Sequence, residues 1–182
     1  LPGPLSEQEA RTHITKILKK NKTREHLSVF LGAGCWFHYI PAHVRYLAER
    51  GEFLTAYTPY QAEASQGMLQ ALFEYQSLIA ELVGLEIANA SMYDWATALG
   101  EAALMSARVT KRKRVLLPHF ISRERKSVLE NYSSSAGLKI EEVRQNSATG
   151  QLDLEDLRAK LDDDVAAVYI ENPSYLGFLE TQ

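Results

Sequence analysis

The sequence predicts an α/β fold with a mostly parallel, doubly wound sheet. Three short segments, residues 115–117, 138–143 and 165–170, have the composition of strands, and helical patterns separate them. Strands that alternate with helices pair in parallel, because each connecting helix crosses one face of the sheet. We expect residues 52–182 to hold this α/β domain and residues 1–51 to form an N-terminal helical arm and the start of an interface segment.

Helix signals in the arm are local and specific. Ser6 and Glu9 form a capping box, in which each side chain accepts a hydrogen bond from the backbone of the other residue. Pro41 suits the first turn of a second, short helix, and Gly51 can close it. Two helices are therefore predicted before the α/β domain begins.

The longest predicted helix spans residues 67–83 and ends at Gly84. Its apolar residues recur at helical spacing on one wide face, namely Met68, Leu72, Tyr75, Ile79 and Leu82. A face this wide suits burial against both a sheet and a partner subunit. Each later helix follows a residue that can cap it, Asp94, Ser122 or Asp153.

Composition excludes several classes of protein. The chain has 182 residues, of which 46% are hydrophobic and 24% are charged, as in an ordinary folded domain. A net charge of -3 gives no general attraction to nucleic acid, and the basic run at residues 108–114 lacks interleaved aromatic residues. No apolar run approaches the roughly 20 residues of a membrane span.

The cysteine and histidine residues indicate neither a disulfide framework nor a metal site. The single cysteine, Cys35, fits a reducing cytoplasm. The spacing of His38 and His43 does not fit a metal site.

The most informative stretch is residues 55–67, which read TAYTPYQAEASQG. Tyr57 and Tyr60 flank Pro59, and proline restricts both its own backbone and that of the preceding residue. Both phenols are therefore expected on a stiff turn in a polar loop, where function often resides. The alternative is that these tyrosines pack half-buried with satisfied hydroxyls, as many tyrosines do.

Several motifs together resemble a known family. The runs FLGAG, HYIP, TAYTPYQ, SQG and LFEYQ, in this order and spacing, are similar to glycine decarboxylase, the P-protein of the glycine cleavage system. The resemblance continues through residues 89–94 to residues 172–173 and so covers nearly the whole chain. It is closest to the N-terminal half of that enzyme, which a two-subunit form carries as a separate subunit 1.

The resemblance implies a fold and an activity. The fold is the large domain of fold-type I pyridoxal-phosphate (PLP) enzymes, present here in incomplete form, so that the chain is expected to be a fragment. The activity is the decarboxylation of glycine and the transfer of its aminomethyl group to the lipoyl H-protein. A PLP-bearing subunit 2 is the implied partner, with the cofactor on that subunit's lysine. The implied location is the cytoplasm.

The same resemblance implies a set of site residues at the interface with the partner. The catalytic candidates are Tyr57, Tyr60 and Glu63. Contact with the cofactor or the substrate is expected from the polar residues Gln61, Ser65, Gln66, His119 and Asn172.

Two features indicate that this chain does not hold PLP by itself. The helix start that receives the cofactor phosphate in fold-type I enzymes carries Asp94, whose carboxylate would compete with phosphate for backbone N–H groups. No lysine has the desolvated setting that a Schiff base requires. Two alternatives stay open, namely a purely structural partner of the catalytic subunit, and a self-contained PLP enzyme such as a cysteine desulfurase or an aminotransferase.

Overall fold

The computed structural model describes residues 3–30, 37–54 and 58–180. The chain divides into two compact units, Leu1–Thr58 and Pro59–Gln182. Each unit is described by itself below.

The first unit is helical in its described parts. It contains α1 (Glu7–Leu18), α2 (Ala42–Ala48) and the single turn α3 (Gly51–Leu54). The predicted capping box of α1 is confirmed, because Ser6 accepts a hydrogen bond from the Glu9 backbone and the Glu9 side chain accepts one from the Ser6 backbone.

The predicted end of α2 is wrong in detail. Gly51 begins α3 and does not close α2, which ends when the Glu49 backbone leaves the helical region and its N–H donates to the Arg45 carbonyl. Pro41 lies one position earlier than expected, as the N-cap of α2. The expected domain boundary after residue 51 stays a prediction.

The second unit alternates helices and strands as expected. In chain order it contains a short 3₁₀ helix (Ala62–Ala64), α4 (Gln66–Val83), α5 (Trp95–Thr110), β1 (Arg114–Pro118), α6 (Arg123–Ala136), β2 (Lys139–Val143), α7 (Leu154–Lys160) and β3 (Val165–Val168).

The sheet of this unit is parallel, with strand order β2-β1-β3. One of its faces packs against α5 and α6 through a core that includes Leu99, Leu117 and Leu129. The other face packs against α7 through a second core that includes Leu116 and Val143. Helices therefore cover both faces, which confirms the doubly wound α/β prediction.

Local signals set most of the helix ends in this unit. Asp94 caps α5 by accepting a hydrogen bond from the Thr97 backbone at 2.7 Å, and the Thr97 hydroxyl accepts one in return from the Asp94 N–H. Asp153 caps α7 in the predicted way. Ser122 precedes α6 as expected, but its side chain makes no capping hydrogen bond. Gly84 ends α4 in the left-handed region, at φ 70°, which glycine adopts without strain.

The helix α4 carries the apolar face that the sequence predicts. Met68, Leu72 and Ile79 on this face are half-buried, whereas Tyr75 and Leu82 are exposed. Within the described ranges, no helix combines the length and the apolar character needed to cross a membrane.

Candidate functional site

The carboxyl ends of β1 and β3 position two of the predicted site residues. His119 follows the last residue of β1, and Asn172 lies a few residues after β3. The strand β1 is central in the sheet, with β2 paired along one of its edges and β3 along the other. The crevice between β1 and β3 is therefore a topological switch point, where open α/β sheets bind ligands.

His119 is held by the sheet and by a carboxylate. Its backbone N–H donates to the Val143 carbonyl at 2.9 Å, which extends the pairing of β1 and β2 by one residue. Its Nδ1 lies 2.5 Å from Oε2 of Glu142, and its ring meets the edge of Phe120 at 4.8 Å between centroids. Lys126 pairs with the other oxygen of Glu142. The hydrogen bonds from Lys126 and then from His119 lower the pKa of the Glu142 carboxyl.

Asn172 has a different role. Its side-chain oxygen accepts a hydrogen bond from the Glu180 backbone at 3.3 Å, which ties the segment after β3 to a residue eight positions later. The side-chain oxygen thus supports local structure, while the contact of Asn172 with a cofactor or substrate stays a prediction.

A buried charged network, which the sequence did not predict, occupies the switch point. Glu171 is only 3% exposed, and its Oε1 accepts hydrogen bonds from Arg125 at 2.7 Å and from the Tyr169 hydroxyl at 2.8 Å. The guanidinium carbon of Arg125 lies 3.4 Å from the ring centroid of Trp95, the first residue of α5. Burial, followed by the hydrogen bond to Glu171, raises the pKa of the Tyr169 phenol. The network links the end of β3 to the starts of α5 and α6.

One signal in the sequence could have indicated this network. Glu171 directly follows the apolar segment 165–170, and residues at that position point to the carboxyl edge of a parallel sheet. Nothing local identifies its partner, because Arg125 lies 46 positions earlier.

The described part of the polar segment that the sequence analysis identified, residues 58–66, lies mostly at the surface. Tyr60 is 87% exposed, and Glu63 in the 3₁₀ helix is exposed as well. Gln61 caps that short helix and Gln66 is the first residue of α4, both with exposed side chains. Ser65 differs, because it is only 7% exposed. The segment therefore presents a phenol, a carboxylate and two amides to the surroundings of this chain.

The predicted residues that the structure describes fall into two groups, the segment 58–66 and the pair His119 and Asn172. Among the residues that the structure describes, no hydrogen bond or ion pair joins the segment 58–66 to His119 or to Asn172. The predicted role of Tyr57 lies outside the described residues.

The start of α5 does not fit the phosphate of PLP. The Asp94 carboxylate already accepts the Thr97 N–H, and the hydrogen bonds from Thr97 lower the pKa of Asp94, so that the group is negatively charged. A phosphate at this helix start would meet a like charge at close range. The indole of Trp95 under the Arg125 guanidinium also fills space on this side of the helix.

The lysines do not fit a Schiff base either. Only Lys126 and Lys160 are partly buried, and both are in ion pairs. The hydrogen bond to Glu142 raises the pKa of Lys126, which favours the ammonium over the neutral amine that attacks an aldehyde. Within the described residues, the start of α5 therefore does not match the phosphate of PLP, and neither Lys126 nor Lys160 matches its aldehyde. Within the same described ranges, no group of three or more metal-ligating side chains comes together.

Comparisons with known proteins agree on one family. The model of the family described as "Glycine cleavage system P-protein" matches residues 1–182. A relative from Thermococcus onnurineus (strain NA1), named "Probable glycine dehydrogenase (decarboxylating) subunit 1", is 59% identical over 182 residues. A relative of the same name from Aeropyrum pernix is 50% identical over 179 residues.

A solved structure agrees with these relatives. It is titled "Crystal structure of glycine decarboxylase (P-protein) of the glycine cleavage system, in inhibitor-bound form", and it matches with a TM-score of 0.87 and 45% identity over all of this chain. The match with the Thermococcus relative covers 100% of this chain and 40% of the relative, and the match with the Aeropyrum relative covers 97% of this chain and 38% of the relative. The match with the crystallised protein covers 40% of that protein's chain. Because the family model matches the chain from end to end, this chain belongs to the glycine cleavage system P-protein family.

Proposed function

We propose that this chain is the N-terminal part of subunit 1 of a two-subunit glycine decarboxylase. The observation that carries the proposal is the match of all 182 residues to the P-protein family, together with the TM-score of 0.87 to a solved glycine decarboxylase. In the proposed reaction, glycine loses its carboxyl group as carbon dioxide and its aminomethyl group passes to the lipoyl arm of the H-protein. The proposed location of the assembly is the cytoplasm.

PLP is proposed to lie on a lysine of subunit 2. Two observations on this chain support that assignment, the acidic cap at the start of α5 and the ion-paired state of Lys126 and Lys160. When bound to the partner, PLP supplies the electron sink that decarboxylation of an amino acid requires. No step of the reaction is assigned to a cofactor held by this chain.

The polar segment is proposed to contribute side chains, across the subunit interface, to the cofactor site of subunit 2. Tyr57 and Tyr60 would donate hydrogen bonds to the glycine carboxylate or to polar atoms of the cofactor, and Glu63 would orient its neighbours. The exposure of Tyr60 supports this role, because its hydroxyl has no hydrogen-bond partner within the described part of the chain. Further polar contacts are proposed from Gln61, Ser65, Gln66, His119 and Asn172.

A second candidate function is that of a structural partner that stabilises subunit 2 without reaching its site. The buried Arg125–Glu171 pair favours it, because the switch point of this chain is filled by the chain's own side chains. The family match from end to end leaves a cysteine desulfurase or an aminotransferase as the weaker interpretation.

Reconstitution tests the proposed function. The full-length chain would be combined with its partner subunit, PLP and lipoyl H-protein, and release of carbon dioxide from carboxyl-labelled glycine would be measured. Release is expected only when both subunits are present. Equal release by the partner subunit alone, at matched PLP occupancy, would contradict the proposal.

A further inference from the structure

His119 has an ordered imidazole with one nitrogen committed and the other available. The backbone N–H of His119 bonds to Val143 across the strand pair, so that the Cα position is set by the sheet. Glu142 lies in β2 opposite Leu117, and its side chain reaches Nδ1 of the imidazole at 2.5 Å. In the described part of the chain, no hydrogen bond involves Nε2, and the side chain is 55% exposed.

The charge on Glu142 decides which nitrogen carries the proton. Lys126 on α6 pairs with one carboxylate oxygen of Glu142, and His119 bonds to the other. The hydrogen bonds from Lys126 and His119 lower the pKa of Glu142, so that it is ionised and can only accept. Nδ1 must therefore be the donor, and in the neutral ring Nε2 is left with a free lone pair.

A second acidic group lies near the same lysine. Glu130, four residues after Lys126 on α6, lies 3.9 Å from the same ammonium. It makes no hydrogen bond to His119. Of these three charged groups, Glu142 bonds to the imidazole, Lys126 pairs with Glu142, and Glu130 lies near Lys126.

We propose that Glu142 is a positioning residue that holds His119 with its proton on Nδ1 and presents Nε2 to a small polar ligand bearing an N–H or O–H donor. The place of His119 supports a ligand role, because open α/β sheets bind ligands outside the carboxyl ends of their strands. This inference rests on the proposed function of His119 as a site residue, and it adds which atom makes the contact and which residues prepare it.

The first test reads the tautomer directly. The full-length chain would be labelled with ¹⁵N-histidine, and the two nitrogens of His119 would be observed by NMR in the neutral form of the imidazole. The His119 signals are identified by their loss in His119→Asn. The proposal expects the proton on Nδ1 in the wild type and a shift toward Nε2 in Glu142→Ala. Glu130→Ala is the matched control, because it removes a carboxylate near Lys126 without touching His119, and no change is expected. A proton on Nε2 in the wild type, or no change in Glu142→Ala, overturns the proposal.

The second test reads the ligand contact in the reconstituted enzyme. Asparagine at position 119 keeps a donor near the Nδ1 position but lacks Nε2, whereas glutamine places a polar group near Nε2. His119→Asn and Glu142→Ala are each expected to lower kcat/KM for glycine about tenfold, with His119→Gln less affected and Glu130→Ala unaffected. The melting temperatures of the His119 variants are expected to be unchanged. Full activity of His119→Asn overturns the proposal. If Tyr60→Phe still lowers activity in that case, the proposed function survives and only this inference fails.

Discussion

Arg125, on α6, contacts residues from two other parts of the fold at the carboxyl edge of the sheet, and no local signal in the sequence indicates these contacts. Its side chain is 13% exposed, and it pairs with Glu171, whose side chain is 1% exposed. One face of its guanidinium lies on Trp95. A carboxylate this deeply buried needs a cation beside it to offset its desolvation, and Arg125 is the cation that pairs with Glu171.

Arg125→Met tests this dependence. The substitution leaves Glu171 buried without its cation, and we expect a loss of about 3 kcal/mol in the free energy of unfolding. Chemical denaturation of the full-length chain measures it. The matched control is Arg45→Met, which breaks the exposed Arg45–Glu49 pair on α2 and should leave stability almost unchanged. Equal effects of the two substitutions would contradict a special role for the buried pair.

Asp156 gives a prediction about acid stability. The hydrogen bond from Lys160, followed by that from the Arg144 backbone, lowers its pKa from 3.8 to about 2. A carboxyl whose pKa is lower in the folded state stabilises the fold above its unfolded pKa, and this contribution is lost as the pH falls through the folded value.

The wild type should therefore be more stable than Asp156→Asn above about pH 4, and the difference should be largely lost by about pH 2. Melting temperatures of the two proteins across this range provide the measurement. A difference that stayed constant from pH 5 to pH 2 would show that the carboxylate charge of Asp156 does not stabilise the fold.

At the scale of elements, capping residues in the sequence predicted where three of the helices begin. Capping residues act on N–H groups within three positions, and so Ser6, Asp94 and Asp153 were identified correctly. Contacts across the fold were missed because they join residues that are far apart in the sequence. The partners Arg125 and Glu171 are 46 positions apart, and only the formed sheet brings them together.

The contact between α5 and α6 depends on one glycine. A Cβ added to Gly100 would lie 2.7 Å from the Cγ atom of the Tyr132 ring, closer than carbon atoms approach. Gly100→Ala is therefore expected to destabilise the fold by about 1 to 3 kcal/mol through overpacking, although alanine is the better helix former. Thermal unfolding measures the change, and adding Tyr132→Ala should recover part of the loss due to Gly100→Ala. A gain in stability from Gly100→Ala alone would show that the helices do not pack this closely.

At the scale of the whole molecule, the sequence predicted the fold class better than the site. Parallel strands alternating with helices are encoded by local patterns, and the structure and the family match agree with them. Residues 58–66 make no hydrogen bond to His119 or Asn172 in the described part, so that hydrogen bonding does not link the two groups of proposed site residues. The chain also spans about 40% of the length of the Thermococcus relative. Both observations agree with the proposal that the site is shared with a partner subunit.

The most direct measurement is steady-state kinetics of Tyr57→Phe and Tyr60→Phe in the reconstituted enzyme, beside melting curves of the same preparations. Tyr60 is 87% exposed, so that removing its hydroxyl should not change the stability of this chain. If each phenol bonds a charged group of the substrate or cofactor, its loss should cost about 1.5 to 3 kcal/mol, which corresponds to a fall of about tenfold to a hundredfold in kcat/KM. We predict that fall with unchanged melting temperature and unchanged assembly. Unchanged kinetics in both variants would contradict a shared site and favour the structural partner.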